Sequence, residues 1–267
     1  MPSQALAIGQ FAKAPHNASR SPCPVVNALA NHGYIERSGR KIYMEDLNAS
    51  LRHVGMSSLL GSVFAIPTYF EFQNPHTEYR KKPVGTFERV WALIKNPYVF
   101  FDYFGCWKAD QTIEGRKYLN LVDLASHGAI EHDISLTRRD VDQEEGNNDP
   151  QKDLIKQMID SSSDKNNLTV EDLGKFIKAR IQQQLKDNPG LVYGPAEHQV
   201  NCGQVALMMG CFGDGKTIPI SYVKAIFQDE RLPIKEGWTK RSWWRSMGLL
   251  EFFGAVRAMT TAVGVKF

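Results

Sequence analysis

The stretch Ser21–Ile42, SPCPVVNALANHGYIERSGRKI, places a cysteine between two prolines directly before a helical pattern. Proline is favoured at the first position of a helix, because its missing N–H would have no partner there. Pro24 therefore predicts a helix that begins at once, with Cys23 at its N-cap and Gly33 at its end. The chain has four cysteines, and this is the one whose position the sequence fixes.

A thiol at a helix N-terminus faces unpaired N–H groups and the positive end of the helix dipole. Such thiols have depressed pKa values, so Cys23 is expected to be largely thiolate. It could attack a substrate, form a redox disulfide or bind a soft metal, and a chance capping cysteine is equally compatible with the pattern. His32 is nine residues away and no cysteine is near in sequence, so a thiolate ligand to iron, for instance in haem, fits best.

The composition allows one large domain or two small ones. The chain has 267 residues, of which 42% are hydrophobic and 23% charged, with a net charge of +3. No sustained basic run points to a nucleic-acid partner. No stretch is long and uncharged enough for a spanning helix, and Met247 to Phe267 is read as an amphipathic, core-facing helix.

The N-terminus lacks the apolar run of a secretory signal. An intracellular location is therefore expected, unless the sequence starts after processing. The cysteines show neither a CxxC pair nor even spacing, which argues against a disulfide framework or a zinc site. The sequence does not indicate an oligomeric state.

Helical signals dominate the rest of the chain, and we predict a single all-α domain over residues 1–267 with 1–20 as an extended arm. No strand pattern of convincing length and no repeat is visible. Further helices are predicted at 43–61, 86–93, 118–139, 154–161, 170–186, 199–209 and 219–227, and 64–83 is predicted to be loop.

Glu131-His132-Asp133-Ile134-Ser135 lies within the predicted helix 118–139. Glu131 and Ser135 would then share a face, where a carboxylate and a hydroxyl could hold a hard cation. His132 would lie beside Asp133, which could orient it as an acid or base. An ordinary salt-bridge network that reaches Arg138 and Arg139 is the simpler alternative.

These residues together resemble the haem-thiolate peroxidase family, the fungal chloroperoxidases and unspecific peroxygenases. The family's marks are Pro-Cys-Pro followed by Asn-x-x-Ala-Asn-His-Gly, then Glu-His-Asp-x-Ser, then a late Glu-Arg-Leu-Pro with Gly-Trp. They match Pro22–Gly33, Glu131–Ser135 and Glu230–Trp238, in the family's order and over nearly the whole chain.

The resemblance implies a chloroperoxidase-type helical fold with haem b between the Cys23 and Glu131 segments. Cys23 would be the axial ligand of the iron. Glu131, Ser135 and the backbone carbonyl of His132 would hold Mg²⁺ or Mn²⁺ against a haem propionate, and His132 with Asp133 would lie on the distal side. Hydrogen peroxide and a small organic substrate would be the partners, and the reaction would belong to fungal secondary metabolism.

One position departs from the family's pattern. The distal glutamate normally lies in a Gly-Glu pair eight residues before a Phe/Leu-Gly-Asp turn, and counting back from Phe212 reaches Gln204. An amide cannot exchange a proton at neutral pH, so peroxidase activity is expected to be weak unless Glu197 or His132 substitutes. A redox-neutral rearrangement or dehydration in a biosynthetic pathway is the alternative function, and a haem-binding protein without turnover is a third.

Overall fold

Eight α-helices form most of the regular structure in residues 6–72, 104–143 and 148–266, the residues that this computed structural model describes. The predicted helical fold is confirmed. The helices are α1 (Pro24–Asn31), α2 (Met44–Leu51), α3 (Ser58–Thr68), α4 (Lys152–Asp160), α5 (Val170–Asp187), α6 (Pro195–Phe212), α7 (Ile220–Phe227) and α8 (Leu249–Val263).

Short antiparallel strands tie distant loops together. One sheet has the order β1 (Ile42–Tyr43), β3 (Arg116–Leu119) and β2 (Thr112–Ile113), and a second pairs β4 (Asn167–Thr169) with β5 (Thr217–Pro219). Strands of two to four residues are too short to show an alternating pattern in the sequence. This is why none was predicted.

Helix α1 begins as its two prolines predict, with Cys23 at the N-cap and Pro24 in the first turn. It is buried over most of its length and packs against α7. The residues before it have no helix or strand from Leu6 onward, and they are held along its end. Gly9 N–H donates to the carbonyl of His32 at 2.8 Å, and Ala12 N–H to that of Asn31 at 2.9 Å.

Helix α8 is the centre of the C-terminal half and packs against both α5 and α6. Its buried side chains recur at helical spacing, which confirms that this amphipathic segment faces the core: Phe252, Val256, Met259 and Val263. The contact with α5 is close, since a Cβ on Gly174 would lie 2.7 Å from the carbonyl carbon of Ala262. None of the helices described is long and apolar enough to cross a bilayer.

The predicted helix over 118–139 is wrong. Its first residues belong to β3, where Leu119 pairs with Ile42 across the sheet. A 3₁₀ helix follows at Leu121–Ala125, started by Asn120, whose N–H donates to the carboxylate of Asp123 at 2.7 Å. The remainder is irregular, and Ile134 has a left-handed φ of +64°. Pairing with a distant strand and side-chain capping therefore outweighed the apolar spacing.

Two other boundaries differ from prediction. The helix predicted over 43–61 is two helices, because Gly55 takes a left-handed φ of +95° between α2 and α3. Helix α3 then continues to Thr68, into the segment predicted as loop. The helix predicted at 86–93 lies outside the described residues.

The other helices occur where they were predicted. Thr169 caps α5 through a capping box, in which its hydroxyl accepts from Asp172 N–H at 3.0 Å. Helix α6 begins four residues earlier than predicted, at Pro195, so Glu197 and Gln204 are on the same helix.

Candidate active site

An apolar cavity of about 330 Å³ lies between α1, α3, α6 and α8, a volume typical of small-molecule sites. Aliphatic and aromatic side chains form most of its wall. The polar residues on the wall include four of the predicted site residues: Cys23, Glu131, Ser135 and Gln204. The structure therefore brings together residues that lie up to 181 positions apart in the sequence.

Cys23 reaches the cavity from the N-cap of α1. Its backbone is fixed from both sides, by Pro24 in the first turn and by Ser21, whose hydroxyl accepts from Cys23 N–H at 3.2 Å. No side-chain hydrogen bond caps the helix. The sulfur thus lies at a rigid position on the cavity wall, as a metal ligand requires.

The expectation that Cys23 is a ready thiolate is wrong for the free chain. The Cys23 side chain is exposed toward the cavity, yet the protein packed around it raises the pKa of the thiol by desolvation, which outweighs the lowering effect of the Val25 and Val26 N–H groups and of the Arg138 charge. The helix terminus is therefore not sufficient to ionise the thiol. Binding a metal ion at the sulfur would release its proton.

Glu230, in the late motif, bonds to the first motif and to Arg138, which follows the Glu131–Ser135 motif. Its carboxylate accepts a hydrogen bond from the Asn27 side-chain amide at 2.8 Å and from Arg138 at 3.0 Å. The backbone carbonyl of Glu230 accepts from the Asn31 side chain at 2.9 Å. Arg138 is only 1% exposed and lines the cavity. Its buried charge is neutralised by Glu230, which lies 92 residues later in the chain.

His32, the histidine of the first motif, has a structural role. Leu232 N–H donates to its Nε2 at 3.1 Å, so Nε2 carries no proton. Its Nδ1 lies 2.8 Å from the carbonyl of Gly9 and is therefore the donor. The neutral ring connects α1 to the N-terminal arm and to the late Glu-Arg-Leu-Pro motif.

The Glu131–Ser135 segment is a loop, and this changes how it could hold a cation. Glu131 and Ser135 both line the cavity although they do not share a helix face. In an α-helix the carbonyl of His132 would accept a helical hydrogen bond, whereas a loop leaves it available as an oxygen ligand. The carboxylate, hydroxyl and carbonyl together are the hard donors that Mg²⁺ or Mn²⁺ prefers.

His132 and Asp133 do not line the cavity. The Nδ1 of His132 donates to the backbone carbonyl of Asp133 at 2.7 Å, and its Nε2 is buried without a hydrogen-bond partner. The carboxylate of Asp133 accepts from Val192 N–H at 3.0 Å and does not orient the His132 ring. Burial raises the pKa of Asp133. Their catalytic role stays a prediction.

Gln204 is exposed to the cavity from α6, at the position expected for the distal acid. Glu197 is two turns earlier on α6 but does not line the cavity. Its carboxylate accepts from Gly194 N–H at 2.9 Å and so caps the start of the helix. The arrangement brings Gln204, and not Glu197, to the cavity.

His127 is a site residue that the sequence did not reveal. Its Nδ1 lies 2.7 Å from the Glu131 carboxylate, and that contact raises the pKa of His127. The four-residue spacing of His127 and Glu131 was visible in the sequence. The loop that brings the two side chains together was not.

A haem fits the donors that the cavity presents. Cys23 offers a sulfur ligand for iron, the wall is apolar, and oxygen donors for a hard cation lie at the Glu131 loop. No cluster of three or more His, Cys, Asp or Glu side chains that could hold a metal ion occurs in the described part of the chain. A cation would therefore depend on hydroxyl, carbonyl and ligand oxygens as well.

Comparison with known proteins gives a matching family and several relatives. The sequence model of the family described as "Peroxidase, family 2" matches residues 9–243. A chloroperoxidase of Leptoxyphium fumago is 26% identical over 238 residues, covering 82% of this chain and 54% of the relative. An aromatic peroxygenase of Cyclocybe aegerita is 25% identical over 223 residues, covering 80% and 53%.

An aromatic peroxidase of Fusarium equiseti is 29% identical over 184 residues, which is 66% of this chain and 37% of the relative. The chain thus spans between about a third and a half of the length of the curated relatives that it matches.

Proposed function

The chain belongs to peroxidase family 2, and from this we propose that it is a haem-thiolate peroxidase or peroxygenase that uses hydrogen peroxide to oxidise a small organic substrate. The observation that carries the proposal is the position of Cys23, on the wall of an apolar cavity that also exposes Glu131 and Gln204. The three relatives come from fungi, and a role in fungal secondary metabolism stays a prediction.

Cys23 would hold the iron of haem b through its sulfur. The haem would supply peroxide activation, and a thiolate ligand favours O–O cleavage by donating electron density to the iron. Pro24 and Ser21 fix the backbone from which the sulfur extends. The Glu230 network holds Arg138 in place on the same cavity wall.

Glu131, Ser135 and the carbonyl of His132 would hold Mg²⁺ or Mn²⁺ near a haem propionate. The left-handed residue Ile134 is fixed by its N–H, which donates to the buried carboxylate of Asp140 at 2.8 Å. This bond sets the course of the loop between Glu131 and Ser135. His127 orients the Glu131 carboxylate from behind.

Proton transfer is the limiting step in this proposal. Gln204 can donate a hydrogen bond to bound peroxide but cannot exchange a proton. Among the described residues that line the cavity, Glu131 is the one carboxylate. General acid–base help is worth about 10²- to 10⁴-fold, so we expect slow peroxide turnover.

The deciding experiment is the carbon monoxide spectrum of the reduced, haem-reconstituted protein. A strongly red-shifted Soret band in the wild type, lost in Cys23→Ala, is the expected result. A histidine-type band in the wild type, or no haem uptake, would overturn the proposal. Peroxide consumption that depends on an aromatic substrate then tests the reaction itself.

Gln204 favours a second candidate, a redox-neutral rearrangement or dehydration by the same haem-thiolate site. Product formed without peroxide would support it. Gln204→Glu separates the two candidates, because added acid should raise peroxidase activity by at least tenfold if the missing proton donor is the limitation. An unchanged rate would show that another group already transfers the proton.

A further inference from the structure

A second cavity, of about 420 Å³, lies between α4, α5 and the segment that begins at Arg139. It shares no lining residue with the apolar cavity. Two adjacent residues line different cavities: Arg138 lines the apolar cavity, and Arg139 lines the second cavity. The second cavity is lined chiefly by guanidinium and amide side chains.

Arg180, on α5, is the unusual residue of this wall. It is 5% exposed, and its Nε and Nη2 are covered by protein without a hydrogen-bond partner. Burying a charged group without partners is costly, because the water that it loses is not replaced. Its remaining nitrogen, Nη1, is not among the covered atoms, and Arg180 lines the cavity.

The nearest carboxylate does not satisfy Arg180. Oδ1 of Asp140 lies 4.0 Å from Nη2, and that oxygen already accepts from Ile134 N–H at 2.8 Å. The second oxygen of Asp140 accepts from the Asn188 side chain at 3.2 Å. Asp140 therefore accepts hydrogen bonds from Ile134 and Asn188, and none of the described carboxylates is in hydrogen-bond contact with Arg180.

Most of the other polar groups on the wall suit an oxyanion; the exception is the exposed carboxylate of Asp187, which accepts a hydrogen bond from the Gln183 side chain. Arg139 supplies a second guanidinium, which also pairs with Asp153 at 2.7 Å. Gln143 and Gln157 add amide groups, which can donate without changing the charge. Guanidinium groups match the planar oxygens of carboxylate and the oxygens of phosphate.

We propose that this cavity is a binding site for a small ligand that carries an oxyanion, either a carboxylate or a phosphate, held by Arg180 and Arg139. The amides would complete its hydrogen bonds. The site is independent of the proposed haem, because the two cavities have separate walls.

Calorimetric titration of the full chain tests the proposal, with sodium phosphate and sodium succinate as probes at an ionic strength kept constant with sodium chloride. We expect saturable binding of at least one probe. Tighter binding of phosphate would indicate a phosphate-bearing ligand, and tighter binding of succinate a carboxylate. Heats no larger than those of sodium chloride for both probes would overturn the proposal.

Arg180→Gln should weaken the binding at least tenfold, and unchanged affinity in a folded variant would contradict the proposal. Because Arg180 is buried, Gln183→Glu offers a second test at an exposed residue of the wall. It should weaken binding severalfold through charge repulsion. Gln182→Glu makes the same change one residue away, off the wall, and should bind like wild type. Equal loss in both would show a general charge effect and refute the site.

Discussion

Glu230 links the late motif to the first motif and to the buried Arg138, and its removal should strongly destabilise the fold. Without its carboxylate, the buried guanidinium of Arg138 keeps, among the described residues, the Thr137 hydroxyl at 3.0 Å as its hydrogen-bonded side-chain partner. Breaking a buried ion pair costs about 3–5 kcal/mol, because the remaining charge is left unpaired. We therefore expect Glu230→Ala to lower the free energy of unfolding by about this amount in urea denaturation.

Glu45→Ala is the matched control, because its partner Arg116 and Glu45 itself are both exposed on the surface. Exposed pairs contribute little, so this variant should unfold like wild type. An equally small effect of Glu230→Ala would show that the Glu230 network is not what holds the motifs together.

His32 should make the stability depend on pH. Burial lowers the pKa of His32, and the charges of Arg37 and Arg231 act in the same direction, against the carbonyl of Gly9. The unfolded chain takes up a proton near the ordinary pKa of about 6.5, whereas the folded ring resists it. The contribution to stability is therefore complete above about pH 6.5 and is lost as the pH falls toward the folded pKa.

Urea denaturation at pH 8 and pH 5 measures this effect. His32→Gln should lose less stability between the two pH values than wild type does, because the titrating ring is gone. His16→Gln, at an exposed histidine, should keep the wild-type difference. Identical pH dependence in all three proteins would place the acid sensitivity elsewhere.

At the scale of elements, the contact between α5 and α8 depends on one glycine. Alanine normally stabilises a helix relative to glycine by about 1 kcal/mol. At Gly174, however, the new Cβ would lie 2.7 Å from the backbone of Ala262, so the helices must separate. We expect Gly174→Ala to destabilise the fold by about 1–3 kcal/mol.

Gly254→Ala, on α8, is the opposite case, because no atom lies within 4 Å of its added Cβ. It should raise the free energy of unfolding by about 0.5–1 kcal/mol through helix propensity alone. Both values can be read from urea denaturation curves. A stabilised Gly174→Ala protein would mean that α5 and α8 are not closely packed.

The sequence predicts elements well where the signal is local. Pro24 and Cys23 mark the start of α1, and Thr169 with Asp172 marks the start of α5, because the residues that make each cap are neighbours in the chain. The helix prediction for segment 118–139 failed because the start of this segment pairs with Ile42, which is far away in the sequence. Apolar spacing cannot show such a contact.

The candidate site was predictable to a similar degree. Cys23, Glu131, Ser135 and Gln204 were found from motifs and do line one cavity. The ionisation of Cys23 was not predictable, because its pKa depends on desolvation by residues distant in the chain. His127 was missed for the same reason, since a loop and not a helix sets its contact.

At the scale of the whole molecule, haem should stabilise the fold by mass action. A ligand that binds only the folded state adds about 2.7 kcal/mol at a concentration of 100 times its Kd. Thermal unfolding with added haem should therefore show a higher Tm for wild type and a much smaller rise for Cys23→Ala. Cys202→Ala removes a cysteine that does not line the cavity and should respond to haem like wild type.

The placement of the four thiols has a practical consequence. Cys106, Cys202 and Cys211 are buried, and burial raises the pKa of Cys106 and Cys211 to about 12. Cys23 is the one exposed thiol of the four, and because its pKa is also raised, the selectivity rests on exposure and labelling needs mildly alkaline solution. A small alkylating reagent such as iodoacetamide should thus label one sulfur of the native protein, and peptide mass spectrometry would identify it. The fraction of that sulfur protected from labelling would then measure the fraction of molecules that carry a ligand at the cavity.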